Sequence, residues 1–237
     1  MKEATSPCPC GCGAELVGMV GEREAGVRAD AAQAVAGQPA RPADGAGIFL
    51  ITGLPGAGKS TVSRALALRF DRAAHIDIDM VFHHFTVAGK VDPAKQDAES
   101  AVQAMLAVRN AAAMARNYAD AGFTCVLDGA VVERAHVTAC ARAVYPHRLH
   151  LVVLAPPLRV SEERDARRSG KTVADFFRHL HPLLHEQLSQ LGLWLDTSEQ
   201  TPAESVTAIL SLEDTAMLAV AGNANEGAPD DCKRGAG

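Results

Sequence analysis

The sequence predicts an α/β fold, a parallel sheet with helices on both faces. Three observations carry the prediction. Short apolar runs of strand length alternate with longer segments of helical period. A glycine-rich octapeptide stands between the first run and the first helical segment. Aspartates stand at the carboxyl ends of two later runs.

The elements follow in order. Ile48–Thr52 is a short apolar run ending at Gly53, the first strand. From Lys59 to Phe70, residues Val62, Ala65, Leu66 and Phe70 recur at helical spacing. Ala74–Asp79 reads as the second strand. Asp92-Pro93 has the form of an N-cap followed by proline at the first helical position. The helix behind it would carry Met105, Val108, Ala112, Ala115 and Ala119 on one face and end at Gly122. Phe123–Leu127 is the third strand, stopped by Asp128-Gly129. Ala135–Val144 is helical, and Leu149–Ala155 is the fourth strand, stopped by Pro156-Pro157. Val160 to Arg168 and Val173 to Leu191 read as helices with a break near Gly170. Leu193–Leu195 is the fifth strand. Thr201-Pro202 with Glu204 opens the last helix, which contains Val206, Ile209 and Leu210.

Composition bounds the function. The 237 residues are 48% hydrophobic and 22% charged, ordinary for a globular chain with one principal domain. The first 47 residues hold 11 Ala and 8 Gly and no Phe, Tyr, Trp or Ile. Such a segment has little to offset the entropy of ordering, so residues 1–46 are expected to be a disordered tail, with 221–237 a second. The domain is expected at 47–220. A net charge of −5 argues against a broad face for nucleic acid or an anionic membrane. Aromatics at 4% argue against base-stacking platforms. No run approaches the roughly 18–20 apolar residues that span a bilayer, and no secretory signal opens the chain, so a reducing cytoplasm is the expectation. Six cysteines in a chain of this size do not read as a disulfide scaffold.

Gly53-Leu54-Pro55-Gly56-Ala57-Gly58-Lys59-Ser60 fits G-x-x-x-x-G-K-[ST] at every fixed position. Glycines let the backbone curl around a phosphate with N–H groups pointing inward. The helix that starts there turns its positive end to the anion. Lys59 reaches β- and γ-phosphates, Ser60 ligates Mg²⁺, and Thr61 adds a contact to the α-phosphate. ATP and Mg²⁺ are the ligands this predicts.

Ligands of an open parallel sheet bind beyond the carboxyl ends of its strands, where three aspartates fall. Asp77 and Asp79 are two apart in the second strand, so side-chain alternation would place them on one face. Asp77 would support the metal shell and Asp79 would accept a substrate hydroxyl proton. Asp128, after the third strand, has the Walker B position for holding Mg²⁺ directly or through water. Beyond the fourth strand, Arg164, Arg167 and Arg168 lie at i, i+3 and i+4, one helical face ahead of Gly170. A cationic segment that closes over phosphates suits phosphoryl transfer, and Arg164 and Arg168 are the catalytic candidates.

With these motifs the chain resembles the small P-loop kinases. Asp77-x-Asp79 is similar to the pattern of shikimate and gluconate kinases, whose second acid serves as base. Leu154-Ala155-Pro156-Pro157, Arg164–Arg168 and Leu193–Ser198 with Thr201-Pro202 resemble the chloramphenicol phosphotransferase-like and zeta-toxin-like branch. The resemblance covers about residues 47–212. It implies a three-layer sandwich around a five-stranded sheet of order 2-3-1-4-5, with Asp128 near Ser60. It also implies that Asp196, Thr197 and Ser198 border the adenine. Asp128-Gly129-Ala130 stands where shikimate kinases carry a glycine triplet, which argues against shikimate as acceptor.

The reading is a kinase that moves the γ-phosphoryl of ATP to a hydroxyl of a small molecule such as an antibiotic, a sugar acid or a nucleotide sugar. The alternative is a nucleotide-dependent switch or ATPase acting on a protein partner. Cys8-x-Cys10-x-Cys12 lacks the spacing and fourth ligand of a structural zinc site. His181 and His185 are half a metal site with no matching carboxylates, and Arg134 and His136 are weaker candidates for an anionic substrate. Cys125 and Cys140 read as core fillers.

Overall fold

The computed structural model describes residues 47–91, 97–167 and 179–218. The expected tails 1–46 and 221–237, Asp92-Pro93 and the Gly170 break lie outside the described residues.

β1 (Ile48–Gly53) and β4 (Leu149–Leu154) are buried at every position, as central strands covered on both faces must be. β2 (Ala73–Asp77), β3 (Thr124–Asp128) and β5 (Leu193–Leu195) complete a sheet of order β2-β3-β1-β4-β5, parallel throughout. Register aligns the carboxyl ends. Asp77 pairs with Asp128, Ile51 with Asp128, Gly53 with Leu154, and Leu154 with Leu195. One edge of the sheet therefore collects the glycine loop and the aspartates.

Alternate residues of β1 divide the core. Ile48 and Leu50 pack with α3 (Ala98–Asp120), α4 (Arg134–Val144) and α6 (Leu180–Leu188) through Ala111, Val137 and Leu184. Phe49 and Ile51 pack on the other face with Val62 and Leu66 of α1 (Lys59–Ala67) and Val206 and Ile209 of α7 (Pro202–Ser211). Each such side chain contributes about 1.5–3 kcal/mol on burial. Cys125 and Cys140 do fill the first cluster, and burial pushes both thiols up to about 12. α2 (Ile78–His84), α5 (Leu158–Ala166) and α8 (Glu213–Ala216) complete the described helices.

Several boundaries differ from the sequence reading; the first helix, for example, ends at Ala67 rather than Phe70. β2 ends at Asp77, not Asp79, because the Asp77 carboxylate accepts the Met80 N–H at 3.0 Å and starts α2. Asp77 and Asp79 are therefore not two positions on one strand face. The expected helix start at Asp92-Pro93 is outside the described residues; the helix that is described, Ala98–Asp120, is capped by Asp97, whose carboxylate accepts the Ser100 N–H at 2.8 Å. Of its expected buried face, Val108, Ala112, Ala115 and Ala119 are buried and Met105 is half-buried. α5 starts two residues early, directly behind Pro157, and ends at Ala166. α7 opens as read, on a Thr201–Glu204 capping box.

Candidate active site

The glycine loop is a tight cradle against α5. Gly56 has φ 82°, and a Cβ there would lie 2.0 Å from the Ser161 carbonyl oxygen. Gly58 has φ 95° with nothing within 4 Å of a Cβ, so that side of the loop is open. α1 starts at Lys59 with no acidic residue of its own in the first turn, so its positive end faces the loop. Lys59 Nζ donates to the carbonyls of Gly53 (3.0 Å) and Leu54 (3.3 Å), which curls the ammonium over the loop. These features fit a bound polyphosphate.

Ser60 Oγ donates to Asp128 Oδ2 at 2.8 Å. The strand order brings the two together across 68 positions of sequence. Asp128 is only 1% exposed, and His75 Nε2 lies 2.6 Å from its other oxygen. The donors here are hard oxygens, a hydroxyl and a carboxylate. No group of three or more His, Cys, Asp or Glu able to hold a metal occurs among the described residues. A pair of oxygens beside a polyphosphate fits Mg²⁺, which keeps most of its waters and takes few protein ligands.

Asp77 and Asp79 lie beside this cluster. Burial is the main force that pushes the Asp77 carboxyl up, helped by the charges of Asp128 and Asp79 and opposed by the Met80 N–H. Asp79 is exposed, and its Oδ1 accepts the Ala130 N–H at 3.4 Å. Gly129 permits that approach, since a Cβ there would lie 2.9 Å from Ile78 Cβ. Thr52 Oγ1 donates to the Val131 carbonyl at 2.7 Å and so ties the same loop to β1.

On the β5 side, Arg164 donates to the carbonyls of Thr197 (2.8 Å) and Ser198 (3.0 Å). Thr197 Oγ1 reaches the Ala57 carbonyl at 3.3 Å, and the Asp196 carboxylate accepts the Ser198 N–H at 2.8 Å. The loop 196–198, α5 and the cradle are thus one bonded unit. Arg167 follows α5 and is exposed; Arg168 lies outside the described residues. Pro55 and Thr61 sit on the loop and on the exposed first turn of α1.

A cavity of about 160 Å³ adjoins the cradle, lined by Leu54, Leu154, Ser161, Leu184 and Asp196 together with His181 and His185. Lys59, Asp79 and Asp128 do not line it. The two imidazoles are tilted against each other with centroids 4.8 Å apart, and desolvation followed by the His181 charge holds His185 below its ordinary value. Arg134 and His136 open α4 beyond β3, and burial lowers His136.

A reading by sequence alone passed over His75, Thr52 and Gly129. His75 stands two residues before Asp77 on the same strand face, but no motif marks it in the sequence.

The sequence model of an AAA domain matches residues 48–187, more than half of the chain. The chain belongs to the AAA domain family. No curated protein sequence matches it significantly. In structure, this AAA domain resembles a sugar kinase from Janibacter sp. HTCC2649 at TM-score 0.58 and 19% identity, over 72% of this chain and 95% of that one. It resembles a gluconokinase from Sinorhizobium meliloti 1021 at 0.55 and 18%, over 72% and 94%. It also resembles the Mycobacterium tuberculosis APS kinase, solved with AMPPNP and APS, at 0.53 and 19%, over 74% and 99%. The fold is that of the small P-loop kinases. No helix among the described residues is long and apolar enough to cross a membrane.

Proposed function

We propose that the protein is a kinase that transfers the γ-phosphoryl group of ATP, with Mg²⁺, to a hydroxyl of a small molecule. The observation that carries the reading is the Ser60–Asp128 bond at 2.8 Å beside the open face of Gly58. It brings together a phosphate loop and an acidic strand end in the arrangement phosphoryl transfer needs.

In this reading the backbone N–H groups of 53–60 and Lys59 hold the phosphates, and Thr61 touches the α-phosphate. Ser60 and Asp128 hold the metal shell, with Asp77 behind them. Mg²⁺ held by Ser60 and Asp128 would supply charge stabilisation to the phosphates in the transition state. Asp79 accepts the proton of the acceptor hydroxyl while the hydroxyl oxygen bonds to the γ-phosphorus. The bond from that phosphorus to the bridging oxygen breaks, and ADP leaves. Arg164 joins α5 to the 196–198 loop, which borders the adenine. Arg168 completes the cationic segment. The solved neighbours bear the names of kinases for a sugar, gluconate and APS, and one is a tunicamycin resistance protein of Deinococcus radiodurans. Those names support a sugar acid, a nucleotide sugar or an antibiotic as acceptor class here.

The test is ADP release against a panel of sugar acids, nucleotide sugars and antibiotics. An acceptor that raises release well above the rate with water alone, and yields a phosphorylated product, supports the reading. ADP release that no acceptor changes and a protein partner stimulates would favour a switch.

A further inference from the structure

We propose that His75 is a positioning residue that presents Asp128 to Ser60 and to a hydrated divalent cation; the inference rests on the kinase reading above. Asp128 is buried and both its oxygens are engaged, Oδ1 by His75 Nε2 at 2.6 Å and Oδ2 by Ser60 Oγ at 2.8 Å. For Asp128 to serve as an acceptor and cation ligand, His75 Nε2 carries the hydrogen and donates it. Two donors, one on each oxygen, fix both the rotation and the tilt of the carboxyl plane.

The surroundings explain why a clamp is needed. Asp77 pairs with Asp128 across β2 and β3, and Asp79 stands over the next loop. Asp77 meets the charges of both Asp128 and Asp79, so the corner is crowded with carboxylates, and a donor on Oδ1 offsets that crowding at Asp128. His75 reaches Asp128 because β2 alternates: the side chain two before Asp77 takes the same face. Its ring is 21% exposed against 2% for the Asp128 side chain, so it closes the outer side of the cluster. Groups that orient a metal's protein ligands typically change metal affinity by about 10–100-fold when removed.

The test uses the full chain, with Mn²⁺ as the probe and AMPPNP as the nucleotide, and counts free Mn²⁺ by electron paramagnetic resonance. Gln places a donor nitrogen where His has Nε2, whereas Asn stops short at the Nδ1 position. H75Q is expected to bind Mn²⁺ within about threefold of wild type, and H75N about tenfold or more weakly. Affinity for AMPPNP without divalent cation should change less than about twofold in either, since neither touches the phosphate cradle. In a D128N background H75N should add no further loss. H75N binding Mn²⁺ like wild type, or losing as much in the D128N background, would overturn the assignment while leaving the kinase reading intact. A wild-type chain that takes up no AMPPNP overturns both. Should H75N not fold, ring-nitrogen resonances of the wild type decide. Adding Mg²⁺ to the AMPPNP complex is expected to shift the His75 Nε2 signal, and an unchanged signal refutes the role.

Discussion

Gly56 and Gly58 are alike in sequence and in backbone sign, yet they face different surroundings. Both hold positive φ, which costs a side-chain-bearing residue about 1–3 kcal/mol. Only at Gly56 does a Cβ also strike backbone, at 2.0 Å from the Ser161 oxygen. G56A is therefore expected to destabilise the protein by more than G58A, whose cost should stay near about 1–3 kcal/mol. Urea unfolding of the two variants measures the difference; equal losses would contradict the cradle's contact with α5. Asp79 gives a second prediction at this scale. D79N keeps the shape of the side chain and removes the base, so ATP affinity should hold within about twofold while the transfer rate falls about 10²–10⁴-fold. Single-turnover kinetics separate the two quantities. Residues of this kind were legible because a fixed motif demands them: Lys59, Ser60 and the loop glycines were readable from spacing alone. His75 was not, because a histidine inside a strand carries no motif and its meaning comes from Asp128, 53 residues away.

Elements were legible where their edges have their own chemistry. The last helix was placed by Thr201, Pro202 and Glu204, and the structure has both bonds of the capping box there. The Glu204 carboxylate accepts from the Thr201 backbone and hydroxyl at 2.8 Å each, and these bonds hold it below the ordinary carboxylate value. A carboxylate lowered in the folded state adds stability above its unfolded pKa of about 4.5 and loses it as pH falls through the folded value. E204Q should therefore lower the melting temperature at neutral pH and leave it unchanged once pH is below the carboxylate range. Thermal melts across that range check it, and a deficit independent of pH would contradict it. β2 was misread because Asp77-Ile78-Asp79 satisfies strand alternation and helix capping equally well in sequence. The Met80 N–H decides for capping, and the corner moves Asp79 off the strand and onto the loop after β3.

At the scale of the whole molecule, the sheet order was expected from the resemblance to small P-loop kinases, and the structure has it. That order is what makes a site from distant segments. It sets β3 beside β1, so Asp128 meets Ser60, and β5 beside β4, so loop 196–198 meets the cradle and Arg164. Strand periodicity alone carries little information on neighbours here, because β1, β3 and β4 are all buried at every position and so look alike in sequence. A ligand that ties the cradle, α5 and the 196–198 loop together stabilises the folded state by mass action, about 2.7 kcal/mol at a hundredfold excess over its Kd. ATP with Mg²⁺ should accordingly raise the melting temperature in proportion to the logarithm of its concentration, and AMP should raise it less.

Titration calorimetry of ATP with Mg²⁺ into the wild-type chain and into K59A tests the account most directly. Lys59 hydrogen bonds to charged phosphates are worth about 1.5–3 kcal/mol, so one ATP per chain should bind the wild type and K59A should bind about 10–100-fold more weakly. No uptake by the wild type, or equal uptake by K59A, would contradict it.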